Sequence, residues 1–395
     1  MSRISLILSI ILSTISVFQL KSQSNLSNSS EVSLLTCEQG EELYSIFGHS
    51  AIRIQDSINN VDRVYNYGTF DFNTPNFYLK FSRGNLDYML SVAKLNNFLP
   101  QYFYENRGVT EQVLDLDLSQ RNRLYNILNT NALLQNRSYR YDFFFDNCAT
   151  RLRDVIYSSV DSLIMFDKNM MPESYRDLYG NYLKDSPWTK LGIHMLLGIK
   201  ADKKSSYWNS MYLPDYLSAE ISKATLIDSV GNKKALVKET RVIFESTPNL
   251  QPNNYRLLSP VKVFGFLWLL ILAITIFEIL RGKKYYSIDY TFFGVSFIIS
   301  LFLCYLWFFT FHTITKLNLN LLWASPLSLL IMVGLIRNGV KALWFKTTLI
   351  LYSSGLVLMA LIFLLYPSFF SPSIIFIVLI YLTRSVRHIL LIKFQ

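Results

Sequence analysis

The chain has 395 residues, 51% of them hydrophobic and only 17% charged, with 38 Lys+Arg against 28 Asp+Glu for a formal net charge of +10. So much apolar and aromatic content excludes a disordered chain, and three cysteines with four histidines leave little room for a structural metal site or a disulfide framework. A basic balance ordinarily raises nucleic acid as a partner, but residues 259–395 hold eleven Lys or Arg and two acids, net +9, and everything before them only +1, which excludes a basic nucleic-acid-binding surface.

The first element is an apolar run over residues 4–20, preceded by Arg3 and followed by a polar stretch, which is the order of a secretory signal peptide covering residues 1–22. Leu20-Lys21-Ser22 is not a clean small-x-small cleavage site, so an uncleaved signal anchor is the alternative. Cys37 is no lipobox cysteine, because the polar linker 22–30 separates it from the apolar run. Residues 50–55 and 62–69 read as consecutive strands around a turn at Asn59-Asn60, and residues 87–93 and 108–116 as further strands. Residues 119–129 have helical spacing with Ser119 as cap. Residues 139–145 read as an aromatic strand and 147–158 as the amphipathic helix after it. Strands flanked by helices make an α+β pattern. Residues 186–258 are expected to form an irregular helical adaptor that braces this part against the membrane.

Apolar stretches then run over residues 261–280, 290–311, 321–336, 347–366 and 368–382. A helix needs about 20 residues to cross the bilayer, and shorter spans are tolerated. These residues predict an all-α transmembrane domain over 259–395 with five crossings, or four if the short last stretch, interrupted by Pro372, does not span. Basic clusters at Arg281/Lys283/Lys284, Arg337/Lys341/Lys346 and Arg384/Arg387/Lys393 alternate with loops holding only Lys316 or no charge. Clustered Lys/Arg marks the cytoplasmic side. Five crossings therefore put residues 23–258 outside the cytoplasm, in the periplasm of an inner-membrane protein with a cytoplasmic C-terminus, in agreement with the signal peptide.

Cysteine nucleophiles need a thiolate, a base and a polar group that orients the base. Cys148, in Asp146-Asn147-Cys148-Ala149-Thr150-Arg151, stands where the aromatic strand meets the helix. There the free amides of the first helical turn favour a thiolate and offer donors to an oxyanion. The soluble part offers only His49 and His194 as bases. His49 opens the strand His49-Ser50-Ala51-Ile52-Arg53-Ile54, and the next strand presents Asn66, which could hold the imidazole in one tautomer. His194 reads as structural, Cys37 as a buried thiol and Cys304 as membrane packing. Arg53, Arg107, Arg151 and Arg153 could meet phosphate headgroups, or simply pair on the surface. Twelve Phe/Tyr residues between Tyr65 and Tyr104 could line an apolar groove, rest at the membrane interface or pack the core. His312 and Asn320 should lie at the outer side of the membrane below the domain, and Glu278 should snorkel at the cytoplasmic end.

The order of a His opening a strand, a polar residue on the next strand and Asn-Cys opening a helix resembles the circularly permuted papain-like families related to NlpC/P60 peptidases and lecithin:retinol acyltransferase. More closely, Leu34-Leu35-Thr36-Cys37, Gly40-Glu41-Glu42-Leu43-Tyr44-Ser45-Ile46-Phe47-Gly48-His49-Ser50-Ala51, Tyr65-Asn66-Tyr67-Gly68-Thr69-Phe70 and Asp146-Asn147-Cys148-Ala149-Thr150-Arg151 resemble the periplasmic domain of the Bacteroidota lipoprotein N-acyltransferase family. Asn318-Leu319-Asn320-Leu321-Leu322-Trp323 and Pro326-Leu327 are similar to that family's membrane half. The resemblance implies a catalytic domain over residues 32–185, Cys148 as nucleophile and His49 as base. Asn66 is the third member by analogy with the wider superfamily, and Tyr44, Arg151, His312 and Asn320 are substrate-binding candidates. It implies ping-pong transfer of an acyl chain from a phospholipid donor, through a Cys148 thioester, to the N-terminal cysteine amine of a diacylated lipoprotein acceptor, with no cofactor and no metal. The competing readings are a membrane-anchored periplasmic cysteine amidase or peptidase acting on cell-wall peptides, and a scaffold that retains the fold without catalysis.

Overall fold

The computed structural model describes residues 25–42, 44–160, 163–166, 173–228, 230–247, 258–337 and 342–393. The expected signal peptide and its cleavage site lie outside the described residues. The N-terminal part is built on a seven-stranded sheet in the order β10-β5-β1-β2-β3-β4-β6, every neighbouring pair antiparallel. The strands are β1 (Glu31–Cys37), β2 (His49–Asp56), β3 (Val61–Thr69), β4 (Asp87–Ala93), β5 (Val109–Leu114), β6 (Ser138–Arg140) and β10 (Val237–Phe244). A small second sheet joins β7 (Leu163–Met165), β8 (Thr225–Ile227) and β9 (Lys233–Ala235).

β1 is an addition to the expected strands. It lies between β5 and β2 with six of its seven residues buried. Val32, Leu34, Ile52, Ile54 and Tyr65 pack on one face with Leu124, Leu128, Leu152 and Ile156 of the helices Leu118–Ala132 and Cys148–Ser159. Leu35, Cys37, Ala51 and Val64 pack on the other face with Phe98, Leu99 and Tyr102. A strand covered on both faces shows no polar–apolar alternation, which is why EVSLLTC carries no period-2 signal. The helix expected to be capped by Ser119 is capped two residues earlier, by Asp117, which forms a reciprocal capping box with Gln120. The aromatic strand expected over 139–145 is only three residues long. Asp142 then accepts from the backbone N–H groups of Phe144 and Phe145 and closes a turn.

The segment expected to be a helical adaptor has helices at Pro187–Leu196 and Pro214–Lys223 but also β8, β9 and β10. β10 pairs with β5, so the end of this segment joins the main sheet.

Among the described residues, five segments are long and apolar enough to cross a membrane: Pro260–Arg281, Tyr286–Phe308, Thr313–Ile336, Leu343–Leu365 and Ser373–Leu391. The last is not interrupted by Pro372, which stands just ahead of a helix running Ser373–Lys393. Glu278 does not snorkel. Together with Asp289 it is buried against Arg384 and Arg387, with Arg384 Nε 2.7 Å from Asp289 Oδ1 and Arg387 Nε 2.9 Å from Glu278 Oε2. Arg384 and Arg387 are therefore ion-pair partners inside the bundle, not free charges of a loop. The membrane part is tied to the soluble part through the helix Pro187–Leu196. Leu191 packs in the core that holds Trp323 and Tyr352. Asn318 donates 2.8 Å and 3.0 Å bonds to the carbonyls of Met195 and Leu196, capping the helix end whose acceptors would otherwise be orphaned.

Candidate active site

Asn147 is the N-cap of the helix Cys148–Ser159: its side chain accepts from the Thr150 backbone N–H, and the Thr150 hydroxyl accepts from the Asn147 backbone N–H. The Asn147 amide also donates to the carbonyls of Phe143 (2.8 Å) and Tyr212 (2.7 Å). Cys148 is thereby held at the first helical position, 6% exposed. Buried thiols ordinarily resist ionisation. Burial does push Cys148 up, but the His49 imidazolium, its hydrogen bond to the sulfur, and the backbone N–H groups of Ser50 and Ala149 more than offset it, and the thiol is lowered from its ordinary value.

His49 opens β2 directly across from Cys37 of β1. Gly48 before it has φ +74°, and a Cβ there would stand 2.8 Å from the Cys37 carbonyl oxygen, so only glycine admits this approach. His49 Nε2 donates to Asn66 Oδ1 at 2.5 Å, which leaves Nδ1 for the thiol. Burial lowers the basicity of His49, while the Cys148 thiolate and the hydrogen bonds to Cys148 and Asn66 raise it, and the net direction is upward. Shifts in these opposite directions in two touching groups favour a thiolate–imidazolium pair.

Gly68 lies beside that pair. The β3–β4 pairing shifts between Asn66 and Thr69, a bulge that lifts the strand beside the thiol. Gly68 sits in it at φ +88°, where a Cβ would lie 3.6 Å from Cys148 Cβ, 3.9 Å from His49 Cε1 and 3.5 Å from Tyr141 Cε2. The missing side chain keeps a Cβ out of the space between Tyr141, Cys148 and His49. Gly68 and Tyr141 were not singled out as site residues. The glycine inside the apolar strand 61–69 was the available signal, since an isolated strand glycine marks a bulge or a close approach.

The remaining candidates fall elsewhere. Tyr44 is 61% exposed on the loop between β1 and β2. Arg151 is committed: Nε and one terminal nitrogen bond both Asp146 oxygens (2.6 and 2.8 Å), and the guanidinium lies 3.7 Å over the Tyr139 ring. Arg53 pairs with Asp62 and Glu111, and Arg153 with Asp154 while lying over Trp208. Arg107 bonds the Glu38 carbonyl and Glu105. Asn320 bonds Asn318, the Met195 carbonyl and the Trp323 indole N–H, none of them a residue of the thiol cluster. His312 rests on the Ser82 carbonyl at 3.1 Å, and its neighbour Thr313 donates to Asp142 (3.2 Å), whose turn leads into Asn147-Cys148. Cys37 is a buried free thiol, pushed up to about 12 chiefly by burial. Burial, with Arg176 and Lys190 nearby, pulls His194 down to about 3, so it stays neutral. Among the described residues no group of three or more His, Cys, Asp or Glu could hold a metal ion.

Two family models match the chain. The Lnb N-terminal periplasmic domain matches residues 19–180, and the Lnb transmembrane domain matches residues 252–395. No curated protein and no solved structure gave a significant match.

Proposed function

The chain belongs to the Lnb family, a multi-pass membrane protein with a periplasmic N-terminal domain, and from that premise we propose that it is a cysteine-dependent lipoprotein N-acyltransferase. The observation that carries this reading is the Cys148–His49–Asn66 line, a thiol and an imidazole shifted toward the ion pair with the imidazole held by an amide, in a protein whose other half is membrane helices. Cys148 is the nucleophile, His49 the base and Asn66 the residue that fixes the imidazole.

In the first half-reaction the Cys148 thiolate attacks the ester carbonyl of a glycerophospholipid. The carbon–sulfur bond forms, the carbon–glycerol oxygen bond breaks, and the His49 imidazolium gives its proton to the departing lysophospholipid oxygen. The Ser50 and Ala149 N–H groups, already directed at the sulfur, support the oxyanion. In the second half-reaction the α-amine of a diacylated lipoprotein's N-terminal cysteine attacks the thioester. His49 takes the amine proton, the amide forms, and the thiolate leaves. A site this closed to solvent favours the amine over water. The same reading puts the protein in the inner membrane with its C-terminus in the cytoplasm, supported by the basic loop Arg281/Lys283/Lys284 between the first two spans.

The test is mass spectrometry of lipoproteins from a strain carrying Cys148→Ala. The expected result is diacylated lipoproteins with free N-termini, transfer having fallen by ~10³-fold or more. Unchanged N-acylation together with turnover of muropeptides would instead support an amidase.

A further inference from the structure

Between β3 and β4 the chain makes a seven-residue helix, Phe77–Arg83, whose sequence FYLKFSR contains no acid. A helix this short is marginal in water by itself, and this one turns apolar side chains outward. Tyr78 is 80% exposed, Leu79 49%, Phe81 52% and nearby Phe72 65%. Contiguous exposed apolar surface of this kind marks a binding face.

Its position says what covers it. The Ser82 hydroxyl lies 3.2 Å from the hydroxyl of Tyr305, in the last turn of the membrane helix Tyr286–Phe308. The Phe311 backbone N–H donates to the Arg83 carbonyl at 2.8 Å, and His312 bonds the Ser82 carbonyl. The short helix therefore sits at the height where a membrane span ends. Phe308, Phe309 and Phe311 are exposed there as well, continuing the row of rings, and Arg140 lies 4.8 Å over the Phe311 ring. Exposed aromatics beside Lys and Arg, with Asp71 the one acid in residues 70–83, fit the composition of a membrane–water interface.

From this helix a series of touching rings runs inward. Phe77 lies 5.7 Å from Phe70, Phe70 5.3 Å from Tyr88, and Tyr88 stacks on Tyr141 at 4.3 Å. Tyr141 lies beside Gly68, where a Cβ would meet both its ring and Cys148.

We infer that the helix Phe77–Arg83 is seated in the membrane leaflet facing the soluble domain, and that the rings Phe77–Phe70–Tyr88–Tyr141 guide the acyl chain of a glycerophospholipid from that leaflet to Cys148. The acyl-guiding half rests on the acyltransferase reading, whereas the membrane seat stands independently of it. A lipid enters from the bilayer with its chain along the rings, its phosphate near Lys80, Arg83 and Arg140, and its ester carbonyl in the space left by Gly68. The thiolate then attacks without the lipid leaving the membrane plane.

The test uses the full chain in phospholipid nanodiscs containing a lipid with a diazirine in its acyl chain. After photolysis, peptide mass spectrometry should find label on residues 70–83 at a level comparable with the membrane helices. It should lie well above the label on Ile58, an equally exposed apolar residue in the β2–β3 turn. Label on 70–83 no higher than on Ile58 would overturn the membrane seat, including the case in which these rings cover a protein partner. In a second arm, the triple variant Tyr78→Ser/Leu79→Ser/Phe81→Ser should lower thioester formation from phospholipid about ten-fold, while acylation by water-soluble 4-nitrophenyl acetate stays unchanged. An equal fall with both donors, or none with either, would overturn acyl guiding. Strong label on 70–83 without any phospholipid-derived thioester in the unaltered chain would sink acyl guiding and the acyltransferase reading together, and leave the membrane seat standing.

Discussion

Cys148 and His49 shift in opposite directions, and the pH dependence of the pair follows from that. Cys148 is lowered, so the thiolate is lost only as pH falls below an already depressed value. His49 is raised, so the imidazolium persists until pH climbs past an elevated one. Both shifts favour the ion pair, and the two groups titrate as a unit. Alkylation of Cys148 by iodoacetamide, followed on its own peptide against pH, should begin below the range of a free thiol. In His49→Ala the onset should move upward, because burial is then opposed only by backbone amides. Identical onsets in the two proteins would contradict the pair. At this scale the residue types were legible in the sequence, since a thiol at a helix start and an imidazole at a strand mouth each have a local signature. Gly68 and Tyr141 were not, because a shifted strand register and a ring stack are products of tertiary pairing.

The helix Cys148–Ser159 owes its start to Asn147. One side chain caps the first turn and also satisfies the buried carbonyls of Phe143 and Tyr212. Loss of an N-cap costs ~1 kcal/mol, and leaving buried acceptors unpaired adds roughly 1–3 kcal/mol. Asn147→Ala should therefore lower stability by about 2–4 kcal/mol, read as a drop in thermal midpoint, whereas Asn147→Asp, which keeps the cap but not the two donated bonds, should fall between. Equal stability of all three would mean the capping box holds nothing. The helix itself was legible from its amphipathic spacing, and most strands from their alternation. β1 escaped because burial on both faces erases the alternation. β10 escaped because a strand that returns to the edge of a sheet from a mostly helical segment has no local mark of its destination.

Across the whole molecule, the five spans were legible because hydrocarbon demands long apolar runs, and the structure has five such segments among its described residues. The pairing of Glu278 and Asp289 with Arg384 and Arg387 was not, since it joins helices about a hundred residues apart in the chain. It locks the first, second and last membrane helices at one end. Removing one partner of a buried pair leaves an uncompensated charge and costs ~3–5 kcal/mol. Glu278→Ala should accordingly show a large fall in thermal midpoint in detergent, while Lys184→Ala, at an exposed cation, should show almost none; similar small shifts in both would contradict the lock. The other end of the bundle carries the contacts from Tyr305, Phe311, His312 and Thr313 to Ser82, Arg83 and Asp142. Membrane and thiol are joined through these few residues, so a donor drawn from the bilayer is the central claim. It is tested most directly by incubating the full chain with phospholipid alone, without acceptor, and measuring the mass of the peptide containing Cys148. The expected result is an added fatty-acyl mass on Cys148, released by hydroxylamine and absent from His49→Ala. An unmodified Cys148, or acyl mass on another residue alone, would contradict it.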